Sequence, residues 1–217
     1  MPRTRLPLVP MLLALAAVVA GVGAYAAWLA ASARPAFHGT TYDPVAPAAG
    51  FRLVDQDGRP ATLADHRGRP VLVFFGYTRC MDYCPLTLDR LSRAVRELGD
   101  RAAGARILLI TVDPANDTPA ALKRYVARFG GRVQGLTGDT AALAAAWRAY
   151  SVYVAPAAPA PAAAHDHHPK RPAALPPALA HSGVVYGVDR SGDLRVVIPY
   201  GATFEETKDD VRALARL

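Results

Sequence analysis

The pattern of apolar and polar positions begins with one long uncharged stretch. No Asp, Glu, Lys or Arg occurs from Leu6 to Ala33, and Arg3 and Arg5 stand just before this stretch. A helix needs about 20 apolar residues to cross a bilayer, whereas the apolar part of a cleaved signal peptide has about 7–15. The length therefore predicts an uncleaved transmembrane signal anchor over residues 6–33. A cleaved signal is the alternative, because Ala31-Ser32-Ala33 would suit a signal peptidase.

The two arginines also predict the orientation of this anchor. Positively charged residues next to a membrane span remain in the cytoplasm, so residues 1–5 form a cytoplasmic tail and the chain after Arg34 lies on the opposite side. For a bacterium, this predicts a single-pass protein of the inner (plasma) membrane with its C-terminal domain in the periplasm or at the exterior. Cysteines there meet oxidants unless another agent keeps them reduced.

Beyond the anchor, the pattern predicts a linker over residues 34–50 and one folded domain over residues 51–217. The linker is rich in Pro, Ala and Gly and shows no period, whereas the domain alternates strand-length apolar runs with helical spacing. In chain order we expect a hairpin around Asp57-Gly58, a strand after Pro70, a helix over 86–98, a strand over 106–112, helices beginning at Pro119 and Thr140, strands over 182–189 and 193–200, and a helix over 205–217. Such alternation predicts an α/β fold with a mixed or parallel sheet.

One segment interrupts this alternation just before the last strand pair. Residues 155–180 read APAAPAPAAAHDHHPKRPAALPPALA, and so many prolines exclude a continuous helix or strand. We therefore expect a long Ala/Pro/His-rich loop inserted into the domain. Two cysteines at the end of the first buried strand, followed by a helix and later by a hairpin, otherwise give the layout of a thioredoxin-like fold.

Composition removes several classes of protein. The chain has 217 residues, of which 52% are hydrophobic, and contains two cysteines. It is too apolar for a disordered tail, and two cysteines exclude both a multi-bridge disulfide scaffold and a four-cysteine zinc site. The net charge of +7 comes from scattered arginines rather than a basic helix or stripe, so we expect no nucleic-acid partner.

The candidate chemistry centres on Cys80 and Cys84, which three residues separate. At the junction between a buried strand and a helix, the helix N-terminus should favour the thiolate form. Two adjacent thiolates can close a disulfide reversibly or bind a soft metal such as Cu(I). A static disulfide is a third interpretation, although so short a loop gains little from closure. The thiol oxidoreductase motif has two intervening residues, so three favour a metal.

A third ligand would have to come from elsewhere in the chain. The six histidines are His38, His66, His165, His167, His168 and His181. His181 directly precedes a predicted strand and therefore lies at an edge of the sheet. Two thiolates and one imidazole would suit alternation between Cu(II) and Cu(I), although a lone loop histidine is more often simply solvated.

Three separated motifs resemble the Sco/SenC family. They are GYTRCMDYCPLTL from Gly76, ITVDPANDTP ending at Pro119, and HSGVVYGVDRSGDL from His181, in the family's order. The similarity covers roughly Phe51 to Leu217, and the anchor in front is also similar to the family pattern. The resemblance implies a thioredoxin-like, membrane-anchored copper chaperone that helps assemble the dinuclear copper centre of cytochrome c oxidase.

Taken residue by residue, the resemblance implies copper ligands at Cys80, Cys84 and His181, with the cysteines also able to form a redox disulfide. Asp82, between the cysteines, would orient a ligand or assist partner docking. Asp113 would be a carboxylate beside the ligands or a partner contact, with a turn-initiating role before proline as the alternative.

The predicted loop carries a further histidine cluster, formed by His165, His167 and His168. Imidazoles on such a loop could capture copper, zinc or nickel and would then form an accessory metal site. The alternative is a polar interruption of a disordered loop that binds metal only incidentally.

The leading functional hypothesis is copper delivery rather than catalysis, so no catalytic residue is assigned. Copper, as Cu(I) or Cu(II), is the expected cargo. The copper-receiving subunit of cytochrome c oxidase is the expected partner, and a periplasmic copper donor or thiol reductase is a further one. The alternative is a thiol–disulfide reductase that maintains the copper-ligating cysteines of the oxidase subunit. A peroxidase would need an activating arginine such as Arg79, but the cysteine spacing argues against it.

Overall fold

The computed structural model describes residues 8–32, 36–156, 179–181 and 183–217, with the backbone alone for residues 8, 9, 27, 29–32, 155, 156 and 179–181. The chain divides into two units, residues 1–35 and 36–217. In the first unit, helix α1 spans Leu8–Ser32. Over the described ranges, we find no helix whose length and apolar character together would let it cross a membrane.

The second unit has a mixed α/β architecture, as the alternating pattern predicts. Its strands are β1 (Thr40–Pro47), β2 (Arg52–Asp55), β3 (Pro60–Thr62), β4 (Val71–Gly76), β5 (Arg106–Thr111), β6 (Val133–Thr137), β7 (Val154–Pro156), β8 (Leu179–His181), β9 (Val185–Val188) and β10 (Asp193–Ile198). Its helices are α2 (Tyr83–Leu98), α3 (Pro119–Val126), α4 (Thr140–Ala149) and α5 (Phe204–Leu214), with 3₁₀ turns at Leu63–His66, Gly99–Ala102 and Ala127–Phe129.

Eight of these strands form one sheet in the order β1-β10-β9-β4-β5-β6-β2-β3. Strands β4, β5 and β6 are parallel, and the other pairings are antiparallel. Both β4 and β5 are almost entirely buried, which explains why their sequences are continuous apolar runs rather than alternating ones. The carboxyl ends of these central strands meet at one edge, where Gly76 is paired with Thr111.

Helix α2 packs against the sheet and against α5. Its buried face includes Leu88, Leu91 and Val95, at the helical spacing that predicted the element. Helix α2 begins at Tyr83, three residues earlier than predicted, so Cys84 and Pro85 lie in its first turn. Helix α3 begins at Pro119 as predicted, and the Thr118 hydroxyl caps it by accepting the Ala121 N–H at 3.2 Å.

Two strands of the eight-stranded sheet, β6 and β1, were not predicted from the sequence. Strand β6 is only five residues long and contains Gly135, where a Cβ atom would lie 3.0 Å from the Cβ of Leu122 on α3. Strand β1 lies inside the predicted linker over residues 34–50 and pairs with β10 along the edge of the sheet. All eight residues of β1 are exposed, so no apolar period marks the strand in the sequence.

The predicted loop over residues 155–180 begins and ends in a second, two-stranded sheet. Strand β7 pairs antiparallel with β8, with Val154 opposite His181 and Pro156 opposite Leu179. Residues 157–178 lie outside the described residues, and so do His165, His167 and His168.

Strand β1 is held to the domain by a buried carboxylate of α5. Asp210 accepts the His38 N–H at 2.7 Å and the Gly39 N–H at 3.1 Å, just before the strand begins. Burial raises the pKa of Asp210, whereas the two N–H groups lower it. A charged group that accepts two backbone donors therefore fixes a strand that buries little apolar surface.

Replacing this carboxylate should release the start of β1. We expect Asp210→Ala to lower the free energy of unfolding by about 2 kcal/mol, because two backbone donors lose a charged acceptor. Denaturation in urea measures the change. The control is Asp209→Ala, since Asp209 is partly exposed and lies 3.7 Å from His38 Nε2; it should cost less than about 1 kcal/mol. Equal losses in both variants would contradict the role of Asp210.

Candidate functional site

The two cysteines lie together where β4 gives way to α2. Cys80 lies in the connecting loop three residues before α2 begins, and Cys84 is the second residue of the helix. The Cys84 N–H donates to the Cys80 sulfur at 3.4 Å, and both residues are present as thiols. Cys80 is 8% exposed and Cys84 is fully buried. The chain therefore turns back over the three residues between the cysteines, and the first turn of α2 lies against the Cys80 sulfur.

The protonation of Cys84 differs from the sequence expectation. Its hydrogen bond with Cys80 and its burial both raise the pKa of the Cys84 thiol, and the Tyr77 backbone only partly opposes them. The prediction that the helix N-terminus would favour a thiolate is therefore wrong for Cys84. A neighbouring sulfur and the loss of water outweigh the helix dipole at this position.

The close approach of helix and strand depends on Gly76, the last residue of β4. A Cβ atom at this position would lie 2.8 Å from the Cys84 sulfur and 2.9 Å from Cε1 of Phe74. Both distances are shorter than van der Waals contact allows, so any larger residue would displace the sulfur or the ring. The absence of a side chain at Gly76 thus decides where Cys84 can lie.

Asp113 lies two residues after β5 and holds the cysteine loop from the turn that follows this strand. Its carboxylate accepts Arg79 Nη2 at 2.8 Å and Nε at 3.2 Å, and it also accepts the Asn116 amide at 2.8 Å. Arg79 immediately precedes Cys80 in the chain. The Asp113 carbonyl also accepts the Asp117 N–H at 2.9 Å, so the same residue closes the turn that contains Pro114.

Asp117 forms a second tie to the cysteine loop, and the sequence analysis did not single it out. This fully buried carboxylate accepts the hydroxyls of Thr78 and Thr111, each at 2.6 Å, and the Thr78 N–H at 3.2 Å. Burial raises the pKa of Asp117, and the hydrogen bonds from the two threonines lower it. The only sequence signal for this residue is its place in the ITVDPANDTP motif.

All three residues between the cysteines are exposed to solvent. Asp82 is exposed just before the first residue of α2, and the Met81 side chain is 78% exposed. A carboxylate at this place interacts favourably with the positive end of the helix dipole. Asp82 is therefore accessible beside the sulfurs, whereas Asp113 reaches the loop through Arg79.

The structure gives the position of the His181 backbone but not the position of its side chain. His181 is the last residue of β8, and its backbone pairs with Val154 of β7. Ser182 and the three loop histidines lie outside the described residues. Within the ranges that are described, no group of three or more His, Cys, Asp or Glu side chains could hold a metal ion.

The steric role of Gly76 gives a direct test of the site. We expect Gly76→Ala to lower the free energy of unfolding by about 1–3 kcal/mol, because the new methyl overlaps the Cys84 sulfur. Denaturation in urea measures the effect. Gly50→Ala is the control, since nothing lies within 4 Å of a Cβ at that position. A Gly76→Ala protein as stable as the wild type would show that the helix and strand can separate freely.

Comparisons with known proteins agree with this architecture. Over 105 residues the chain is 45% identical to a mitochondrial SCO2 homolog of Mus musculus, covering 48% of this chain and 41% of that protein. Over 113 residues it is 37% identical to mitochondrial SCO2 of Saccharomyces cerevisiae, covering 52% of this chain and 38% of that protein. The chain thus spans about two fifths of the length of these relatives.

Solved structures extend the similarity over more of the chain. Bradyrhizobium japonicum ScoI with copper bound is 32% identical, with a TM-score of 0.63, covering 78% of this chain and 99% of that one. Yeast Sco1 with copper bound is 27% identical, with a TM-score of 0.62, covering 76% of this chain and 86% of that one. The mixed α/β architecture is therefore the thioredoxin-like fold of these proteins.

A family model described as SCO1/SenC matches residues 40–216, from the start of β1 to the end of α5 and beyond it. The match includes the cysteine loop, the turn after β5 and the strand pair β9–β10. The chain belongs to the SCO1/SenC family.

Proposed function

We propose that this chain is a membrane-anchored copper metallochaperone that holds copper with Cys80, Cys84 and His181. It delivers the ion for assembly of the dinuclear copper centre of cytochrome c oxidase. The observation that carries the proposal is the contact between the two thiols, in which the Cys84 N–H lies 3.4 Å from the Cys80 sulfur. Family membership supports it, and so do the two similar structures that have copper bound.

The site suits a soft ion that must be held and then released. Two adjacent sulfurs bind Cu(I) well, and an imidazole adds the nitrogen donor that Cu(II) favours. Burial limits access of water and oxidants to Cys84, whereas Cys80 is slightly exposed. Exchange of ligands with the receiving subunit would therefore begin at Cys80 and reach Cys84 last.

Asp82 and Asp113 support the ligands in different ways. Asp113 fixes Arg79 and so limits the movement of the residue next to Cys80. Asp82 is exposed beside the sulfurs and is placed to contact a positively charged group of the receiving subunit. A periplasmic copper donor or thiol reductase would reach the same face.

A thiol–disulfide reductase is the less favoured function. A reductase acts through an accessible sulfur, and of the two cysteines only Cys80 has any exposure, at 8%. The three residues between the cysteines also differ from the two of the oxidoreductase motif. Rapid reduction of insulin disulfides by the wild-type chain would favour this function over delivery.

The membrane anchor is part of the proposal and rests on the sequence. The uncharged stretch from Leu6 to Ala33, with Arg3 and Arg5 before it and Arg34 after it, supports a single-pass anchor in the inner (plasma) membrane of a bacterium. The copper-binding domain then lies in the periplasm or at the exterior.

Removing single ligands should affect the binding of Cu(I) and of Cu(II) differently. We expect the reduced full-length chain in detergent to bind one copper ion, and Cys80→Ser or Cys84→Ser to abolish this binding. His181→Ala should lose tight Cu(II) binding but keep Cu(I), because the two thiolates remain. Native mass spectrometry gives the stoichiometry, and His38→Ala is the matched histidine control. Unchanged copper binding in either cysteine variant would overturn the proposal.

The loop histidines His165, His167 and His168 are proposed as an accessory metal site. Deleting residues 164–169 should leave the tight copper site intact and remove only weaker binding of Cu(II) or zinc. Isothermal titration of the deleted and intact chains separates the two classes of site. Loss of the tight site on deletion would instead make the cluster a part of the main centre.

A further inference from the structure

We propose that Tyr200 positions His181 for copper, because it joins the chain just after His181 to the turn of α2 that carries Cys84. This inference rests on the proposed copper function, in which His181 is a ligand. Tyr200 lies in the turn between β10 and α5. It is a positioning residue, since it would act through the histidine and not through contact with the ion.

The first link is an aromatic contact beside the cysteines. The rings of Tyr83 and Tyr200 have centroids 4.7 Å apart and an angle of 83° between their planes. This edge-to-face arrangement is a favourable one for two aromatic rings. Tyr83 immediately precedes Cys84 in α2, so Tyr200 is held against the helical turn that presents this sulfur.

The second link is a contact just beyond the pairing of β9 with β10, which ends where Val185 is opposite Ile198. A Cβ atom at Gly183 would lie 3.5 Å from the Cβ of Tyr200, an ordinary contact distance. Gly183 therefore lies against the base of the Tyr200 side chain, only two residues after His181.

His181 is thus flanked by two attachments of the backbone. Before it, β8 pairs with β7, and Val154 is opposite His181 itself. After it, Gly183 packs against Tyr200. A backbone segment held at two such points has less freedom than one at the end of an open loop, which lowers the entropy lost when His181 binds an ion.

The third link fixes the turn of Tyr200 to the helix of Cys84. Arg90 of α2 donates from Nη1 to the carbonyl oxygen of Tyr200 at 2.8 Å and also to that of Ala202. Burial lowers the pKa of Arg90, so its charge is partly desolvated and depends on these carbonyl acceptors. One helix therefore carries Cys84, contacts Tyr200 through Tyr83 and holds the turn through Arg90.

These links predict an effect that depends on the oxidation state of copper. The two sulfurs do not need Tyr200 for their contact, so Cu(I) binding should remain. Cu(II) needs the imidazole more, and a residue that orients a ligand typically contributes about 10–100-fold to metal affinity. Loss of the Tyr200 ring should therefore weaken Cu(II) binding selectively.

The test compares Tyr200→Ala with Tyr200→Phe in the full-length chain in detergent. We expect Tyr200→Ala to bind Cu(II) about tenfold more weakly and to lose resolved nitrogen hyperfine structure in its electron paramagnetic resonance spectrum. Tyr200→Phe keeps the ring and should behave as the wild type. Cu(I) affinity, measured by competition with a chelator, should be unchanged in both variants.

A double-mutant cycle with His181→Ala identifies the route of the effect. If Tyr200 acts through His181, then Tyr200→Ala should have no further effect on Cu(II) affinity in the His181→Ala background. Arg90→Met should weaken Cu(II) in the same direction as Tyr200→Ala, because the turn loses its attachment. Arg96→Met is the matched control, since Arg96 lies on the same helix and is exposed.

Different outcomes overturn different claims. Wild-type Cu(II) affinity and spectrum in Tyr200→Ala would overturn the inference and leave the copper function standing. So would an equal loss of Cu(I) and Cu(II), or a full additional loss in the His181→Ala background. A wild-type chain that binds no copper would overturn the proposed function and this inference with it.

Discussion

The close packing of α2 against the end of β4 is the constraint on which the site depends. Gly76 leaves room for the Cys84 sulfur where any Cβ atom would come within 2.8 Å of it. Once the helix begins there, the loop of three residues can place the Cys80 sulfur against the first helical turn. The two sulfurs are therefore brought together by the backbone geometry of a strand and a helix, and their contact does not require a covalent bond.

The parallel neighbour of β4 provides the rest of the support. The Val112 N–H donates to the Gly76 carbonyl at 2.9 Å, so the two strands end side by side. The turn that follows β5 can then direct Asp113 and Asp117 at Arg79 and Thr78 in the cysteine loop. Two carboxylates on a neighbouring turn thereby stabilise a loop that contains no regular structure of its own.

The apolar pattern of the sequence predicted the elements that bury apolar surface. The apolar runs of β4 and β5 and the spacing of Leu88, Leu91 and Val95 are consequences of burial, so the pattern shows them. Strand β1 is exposed throughout, and it is fixed by Asp210 and backbone pairing, which leave no periodic signal. The cysteine pair stands out by composition, whereas Asp117 and Tyr200 act through contacts between distant parts of the chain and are visible only in three dimensions.

The exposed edge strand has a consequence for self-association. An open sheet edge offers unpaired backbone groups to which another chain can add, and such addition starts many aggregates. Strand β1 contains Pro44 and Pro47, which lack an N–H, and its register with β10 shifts between Thr41 and Ala46. A second molecule would find few aligned donors along this strand. The two prolines and the shifted register therefore protect this edge of the sheet from edge-to-edge polymerisation.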